Sequence, residues 1–111
     1  MTAKSYKLNS KEILEIEPNR GACFATDRIT VDGKKIGYMY REEPSDDVDS
    51  GWRFFAGDET DEYVNELNNI SIYDINTIVN YDGAIIPFLD SPIGSEFERI
   101  EGKNDFKLID E

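Results

Sequence analysis

The sequence predicts an α+β fold: a single compact domain with a mainly antiparallel sheet and two or three short helices. Short stretches of alternating apolar and polar residues are typical of strands, and short helical patterns lie between them. Turn signals such as Asp32-Gly33 and Asp82-Gly83 separate these stretches. At 111 residues, 39% of them hydrophobic, the chain can fill one core, so we expect one domain over residues 1–111.

The first third of the chain predicts a helix, a strand and a hairpin. Helix-capping residues precede apolar ones at residues 9–17, which indicates a short N-terminal helix within an extension of residues 1–19. Residues 22–26 are mostly apolar and indicate a buried strand. The pair Asp32-Gly33 predicts a hairpin turn whose return strand covers residues 36–41.

A strand with two different faces is predicted at residues 52–56. Side chains alternate along a strand, so Trp52 and Phe54 share one face, and Arg53 and Phe55 share the other. Large aromatic side chains are mostly buried, so the first pair is expected in the core.

A short acidic helix is expected after this strand. Asp58 is the candidate N-cap and Asp61 lies in the first turn, where carboxylates interact favourably with the helix dipole. Asn68-Asn69 is expected to end the helix. Its expected apolar stripe consists of Tyr63, Val64 and Leu67.

The last third of the chain predicts three strands and one helix. A short strand at residues 70–73 precedes a helix at residues 75–80, for which Asp74 is the expected N-cap. An apolar stretch and a turn follow this helix, and two alternating strands come after them. These later elements are expected at residues 85–89, 90–94, 97–100 and 106–109.

The composition excludes several kinds of chemistry. The chain has no histidine, which rules out Ser-His-Asp catalysis, Cys-His catalysis and histidine-containing zinc sites. Its single cysteine, Cys23, cannot form an internal disulfide and lies in an apolar stretch, so we expect a small buried side chain. A reduced cysteine, no signal-peptide pattern and no apolar run long enough for a membrane helix predict a cytoplasmic protein.

The net charge of −12 is concentrated in one part of the chain. Residues 42–66 contain ten acidic residues and one basic residue. Such a charge repels phosphates and anionic lipids, so neither a nucleic acid nor a membrane is expected as a partner. A basic protein would be attracted, and its association would be accelerated.

An acidic partner-binding face is therefore expected around the aromatic strand. Trp52 and Arg53 are its candidate anchors, although each has a structural alternative. Trp52 could belong to the core, and Arg53 could stabilise neighbouring carboxylates such as Glu42 or Glu62. The expected partner-binding residues are Glu42, Glu43, Asp46, Asp47, Asp49, Trp52, Arg53, Asp58, Glu59, Asp61 and Glu62.

No cofactor, metal or catalytic residue is expected. The acidic run that leads to Gly51 faintly resembles a calcium loop, but Val48 would stand at its third position and Gly57 at its twelfth. The loop would lack both its third ligand and its bidentate glutamate. An enzyme that uses carboxylates with a divalent cation is kept only as an alternative.

Four motifs of the chain resemble a known family. They are IGYMYRE at residues 36–42, GWRFFAGDE at 51–59, IYDINTI at 72–78 and PFLDSPIGSEFER at 87–99. In this order they resemble a small bacterial domain that was first classified as a domain of unknown function. The family was later described as a predicted immunity protein of polymorphic toxin systems. The resemblance covers about residues 20–100.

This resemblance implies a protein that binds and neutralises a co-encoded toxin. The family has no established catalytic residues, so the resemblance implies a protein-binding domain that is not an enzyme. Members also occur alone, so a stand-alone regulatory or ligand-binding accessory module is the other alternative.

Overall fold

One six-stranded sheet organises residues 4–109, the part of the chain that the computed structural model describes. The strands are β1 (Ala22–Thr26), β2 (Tyr38–Arg41), β3 (Asp49–Phe55), β4 (Ile70–Asp74), β5 (Glu96–Arg99) and β6 (Phe106–Leu108). The α-helices are α1 (Asp27–Thr30), α2 (Asp61–Asn65) and α3 (Ile75–Tyr81), and Leu67–Asn69 and Gly83–Phe88 form 3₁₀ helices. The α+β prediction is confirmed.

The strand order is β4-β1-β3-β2-β5-β6. Among the strands of residues 4–109 only the neighbours β1 and β3 are parallel, and the other neighbouring pairs are antiparallel. The strands predicted at residues 22–26, 52–56, 70–73, 97–100 and 106–109 are present, with ends that differ by a few residues. β3 therefore lies in the middle of the sheet, with β1 and β2 on its two sides.

The hydrophobic core fills one face of the sheet. Trp52 and Phe54 on β3 are 1% exposed, and their rings stack with centroids 5.9 Å apart. The indole Nε1 of Trp52 donates to the carbonyl oxygen of Leu89 at 3.1 Å. Residues of α3 and of the following 3₁₀ helix complete this core. Its other buried members include Cys23, Ala25, Ile29, Ile36, Met39, Ile75, Ile78, Val79, Ile85, Phe97 and Phe106.

Cys23 is buried as predicted, with 1% of its surface exposed. Burial raises the pKa of its thiol far above the ordinary value, so the side chain stays protonated at neutral pH. It behaves as a small apolar side chain of β1.

The predicted hairpin at Asp32-Gly33 is wrong. β1 and β2 do not pair, because β3 lies between them. Gly33 has a φ of 76° and donates its backbone N–H to the carbonyl oxygen of Ile29, which ends α1. A glycine with positive φ is common both after the end of a helix and in a hairpin turn, and in this structure Gly33 follows the end of α1.

The predicted N-terminal helix is also wrong. The expected cap forms, since Asn9 Oδ1 accepts from the backbone N–H of Lys11 at 2.9 Å, but the helical signal ends in a single turn at residues 10–12. Beyond it, the backbone of residues 14–17 bonds to two asparagine side chains of α3. These tertiary hydrogen bonds replace the bonds that a helix would make within the segment.

Helix α2 begins later than predicted. Thr60, rather than Asp58, is its N-cap and accepts from the backbone N–H of Tyr63 at 3.1 Å. The helix ends at Asn65, and Leu67, which was expected in its apolar stripe, is 83% exposed. Asp74 occupies the predicted N-cap position of α3, but its side chain makes no capping hydrogen bond.

Two asparagines of α3 hold the N-terminal segment. Asn80 Oδ1 accepts from the backbone N–H of Leu14 at 2.9 Å, and its Nδ2 donates to the carbonyl oxygen of Leu14 at 2.8 Å. Asn76 makes similar bonds to Leu14, Ile16 and Glu17. Because the bonds go to backbone atoms, they fix the path of the segment independently of its side chains.

Asn80→Ala is expected to release this segment without unfolding the core. The two lost hydrogen bonds to Leu14 contribute about 1 kcal/mol each, so cleavage by a Glu-specific protease at Glu15 and Glu17 should become roughly thirtyfold faster. Asn65→Ala, at an exposed position of α2, is the matched control and should cleave like the wild type. Equal cleavage rates for Asn80→Ala and the wild type would contradict this account of the segment.

Candidate functional site

The sheet face opposite the core is lined by aromatic and aliphatic side chains. We call it the open face and define it by Phe24 on β1, Tyr38 and Tyr40 on β2, Phe55 on β3 and Ile72 on β4. The four aromatic residues are half-buried, and Ile72 is 66% exposed. Since side chains alternate along each strand, these residues point away from the core that their neighbours fill.

Three rings of the open face contact one another. The Tyr40 and Phe55 rings stack with centroids 5.9 Å apart and an interplanar angle of 21°, and the Tyr38 ring lies 5.7 Å from that of Phe55. The Tyr38 hydroxyl donates to the carboxylate of Glu96 on β5. Burial and this bond raise the pKa of the Tyr38 hydroxyl, which keeps it protonated.

Arg53 lies at the centre of the open face and is almost fully buried, with 6% of its side chain exposed. Its Nη1 and Nη2 each donate to one carboxylate oxygen of Asp49 at 2.8 Å, and its Nε donates to Glu42 Oε2 at 2.6 Å. The guanidinium carbon also lies 4.4 Å from the centroid of the Phe24 ring. The cation is therefore held by two carboxylates and an aromatic face, and we call Arg53, Asp49 and Glu42 the arginine clamp.

Gly51 allows Asp49 to reach Arg53. Four residues of straight strand would separate their Cα atoms by about 13 Å, too far for a direct ion pair. Gly51 has a φ of 90°, which bends β3 between them, and a Cβ there would lie 2.2 Å from the carbonyl oxygen of Glu42. A glycine is needed on both counts.

The clamp changes the titration of Asp49. Hydrogen bonds from Arg53, aided by the backbone N–H groups of Ser45 and Gly51, lower the pKa of the Asp49 carboxyl well below its usual range. The neighbouring Asp46 accepts from the backbone N–H groups of Val48 at 3.1 Å and Asp49 at 2.9 Å. Carboxylates therefore also shape the acidic loop between β2 and β3.

The structure divides the predicted acidic face into two rims. The first rim, residues 42–48, joins β2 to the start of β3, and the second rim, residues 58–62, follows the end of β3. A strand of seven residues, bent at Gly51, separates them by less than the roughly 20 Å that a straight strand of that length would span. Asp46 borders a small cavity next to Phe24 and Ile72, so the first rim meets the open face at one end.

The second rim borders the opposite end of the same face. Glu59 and Asp61 line a cavity of about 310 Å³ with Tyr38 and Phe55. The Glu59 carboxylate is tied down, since it accepts from Thr26 Oγ1 at 2.5 Å and from the backbone N–H groups of Ala56 and Gly57 at 2.8 Å. Thus the two rims do not touch each other, but both frame the open face.

Most of the predicted site residues are either buried or exposed, and Glu59 is half-buried. Asp49, Trp52 and Arg53 have buried side chains. For Trp52 and Arg53 the structure shows the structural alternative, and Arg53 pairs with the expected Glu42 and with Asp49. Trp52 is a core residue and offers no surface to a partner, which corrects its expected role as an anchor. Asp58 is exposed but pairs with Arg28, whose Nε lies 3.1 Å from Asp58 Oδ1. The other exposed members are Glu42, Glu43, Asp46, Asp47, Asp61 and Glu62.

The sequence analysis did not identify the aromatic floor between the rims, that is, the rings of Phe24, Tyr38, Tyr40 and Phe55 on the open face. Phe24, Tyr38 and Tyr40 were assigned to strands but not to a site. A signal was available, because β2 and β3 carry large apolar side chains on both faces while the few short helices can cover only one.

Among the described residues there is neither a cluster of metal-binding side chains nor a helix that could span a membrane. Between residues 4 and 109, no group of three or more cysteine, aspartate or glutamate side chains is placed to hold a metal ion. Over the same residues, every helix is too short or too polar to cross a membrane.

A family model described as the immunity protein Imm33 domain matches residues 23–110. The chain belongs to this family. The match confirms the expected resemblance and extends past residue 100 to include β6, so the Imm33 domain contains nearly the whole sheet and both rims. Neither the curated proteins nor the solved structures contain a match to the chain. Family membership supports an immunity function.

The N-terminal segment lies before the matched part of the Imm33 domain. Asn76 and Asn80, within the matched residues 23–110, hold the backbone of residues 14–17 in place.

Asp49→Asn is expected to destabilise the Imm33 domain by about 3 kcal/mol at pH 7, because it leaves a buried arginine with one carboxylate instead of two. The folded pKa of Asp49 is lowered, so its contribution is complete above the ordinary pKa of 3.8 and is lost as the pH falls through the lower folded pKa. The difference in free energy of unfolding between variant and wild type should therefore shrink below about pH 3.8.

Urea unfolding at pH values between 7 and 3 measures this difference. Asp47→Asn makes the same charge change at an exposed position of the first rim and serves as the control. A destabilisation by Asp49→Asn no larger than that by Asp47→Asn would contradict the proposed importance of the clamp.

Proposed function

We propose that this protein neutralises a cognate toxin by binding it through the open face and the two acidic rims. The observation that carries the proposal is a stack of aromatic rings on a sheet face that the core helices do not cover, framed at both ends by exposed carboxylates. Family membership supports the immunity role, and the geometry supports this surface as its location.

The dimensions of this surface fit a protein partner. A standard interface buries about 800 Å² on each partner, which corresponds to a patch roughly 30 Å across. Rims less than about 20 Å apart fit within such a patch. Aromatic side chains near the centre of an interface contribute most of the binding energy, while charges at its margin mainly accelerate association.

The charge favours a basic toxin. Glu43 and Asp47 on the first rim and Asp61 and Glu62 on the second rim are exposed carboxylates. Together with the net charge of −12 on the whole chain, these carboxylates favour a positively charged protein surface over a nucleic acid or an anionic membrane.

The proposed role is binding without catalysis. The carboxylates nearest the aromatic floor, Glu42, Asp49 and Glu59, accept hydrogen bonds from Arg53, Thr26 or backbone groups, as structural carboxylates do. We place this activity in the bacterial cytoplasm, within a polymorphic toxin system, where a reduced cysteine such as Cys23 is the ordinary state.

Charge reversal on each rim tests the proposal with the toxin encoded beside the gene. Glu43→Lys/Asp47→Lys and Asp61→Lys/Glu62→Lys should each weaken toxin binding at low salt by about tenfold or more, mainly through slower association. Each variant should also reduce the survival of cells that express the toxin. Surface plasmon resonance at two salt concentrations measures both rate constants.

Glu12→Lys/Glu101→Lys is the matched control. It changes the net charge by the same amount at two exposed positions outside both rims, one on the N-terminal segment and one in the turn between β5 and β6. We expect it to bind and protect like the wild type. If both rim variants kept full affinity at low salt, binding through the rims would be refuted. If the wild type bound no such toxin and gave no protection, the immunity role would fail and an accessory module would be favoured.

A further inference from the structure

One cavity of the open face has the size of a single side chain. Its volume is about 230 Å³, and Phe24, Tyr40, Phe55 and Ile70 form its apolar walls, with Glu42, Arg53 and Thr26 also lining it. Sites for small-molecule ligands usually have volumes of about 300–1,000 Å³, so this cavity is small for one. We infer that it receives one arginine side chain of the protein partner; this rests on the proposed function and specifies its central contact.

The walls suit a guanidinium group. A planar guanidinium stacks on aromatic faces, whereas the compact ammonium of lysine is more strongly hydrated and does not stack in this way. The chain itself uses this contact repeatedly: Arg53 lies 4.4 Å from the ring centroid of Phe24, and Arg99 lies 4.7 Å from that of Phe106. The stacked rings of Tyr40 and Phe55 offer a similar surface to a group from outside.

Two charged residues, Glu42 and Arg53, line the cavity, and the buried Asp49 behind them pairs with Arg53, so the clamp as a whole is negative. Arg53 carries one positive charge, and its partners Asp49 and Glu42 carry two negative ones. The Arg53 side chain is 6% exposed, while that of Glu42 is 52% exposed. The clamp therefore presents a carboxylate to the cavity and keeps its cation covered.

Other occupants fit this cavity less well. An anionic side chain would meet the excess negative charge of the clamp and be repelled. A purely apolar side chain would remove water from Glu42 and leave that excess uncompensated. An arginine satisfies both requirements, since its stem contacts the apolar walls and its guanidinium donates to the exposed carboxylate of Glu42.

Titration of the full-length protein with N-acetyl-argininamide tests this inference without the toxin. The matched probe is N-acetyl-citrullinamide, which has nearly the same shape but no charge. Aromatic and methyl NMR signals of Phe24, Tyr40, Phe55 and Ile70 should shift with saturation, and binding should be about tenfold tighter for the arginine probe. Equal affinity for the two probes, or shifts confined to other residues, would overturn the arginine site.

A second comparison tests the role of Glu42. Glu42→Gln keeps an acceptor for Arg53 but removes the negative charge. It should therefore lower the affinity for the arginine probe severalfold and leave the affinity for the citrulline probe unchanged. Glu43→Gln makes the same charge change at the next residue, away from the cavity lining, and should bind like the wild type. Equal weakening by both variants would show general charge attraction and contradict a specific site.

The outcome is separable from that of the proposed function. If the probe does not bind but the rim variants still lose toxin affinity, the arginine site fails and the immunity proposal stands. If the probe binds but the wild-type protein neither binds nor neutralises the toxin, the immunity proposal fails and the cavity is still an arginine site.

Discussion

The buried ion pair between Arg53 and Asp49 is the interaction on which the rest of this structure depends. It lies on the central strand of the sheet, and Glu42 links it to the end of β2. Burying charges is costly, and here the cost is offset by bidentate geometry, a second carboxylate and backbone N–H donors to Asp49. Gly51 bends β3 so that the pair can form. The loop at residues 42–48, strand β3 and the open face are thereby held in fixed positions relative to one another.

The same pair gives the open face its chemical character. An apolar residue in place of Arg53 would join Phe24, Tyr40 and Phe55 into one continuous apolar patch, and such patches favour aggregation. The clamp instead places a covered cation and an exposed carboxylate among the rings. Aromatic contact area and net negative charge consequently occur within one surface. This combination suits selective recognition of a basic protein better than either property alone.

Much of the fold could be predicted from local pattern, and much of the site could not. Alternation in β3 correctly assigned Trp52 and Arg53 to opposite faces, because it depends only on strand geometry. The hairpin prediction at Asp32-Gly33 failed because β1 pairs with β3 and not with β2, which local sequence does not reveal. The N-terminal helix prediction failed because the backbone of that segment bonds to Asn76 and Asn80, which are distant in sequence. The acidic residues of the site were visible in the sequence. Their division into two rims, and the aromatic floor between them, required the strand order and the uncovered face.

A double-mutant cycle between Arg53 and Asp49 tests the central claim most directly. The free energies of unfolding of the wild type, Arg53→Met, Asp49→Asn and the double variant would be measured in urea at pH 7. The account predicts that the double variant is more stable than the sum of the single effects implies, with a coupling of about 1–3 kcal/mol. Arg53→Met leaves the buried Asp49 carboxylate without its cation, and Asp49→Asn leaves the buried Arg53 with Glu42 alone. Additive effects within about 0.3 kcal/mol would contradict it, since they would show that the two residues contribute independently.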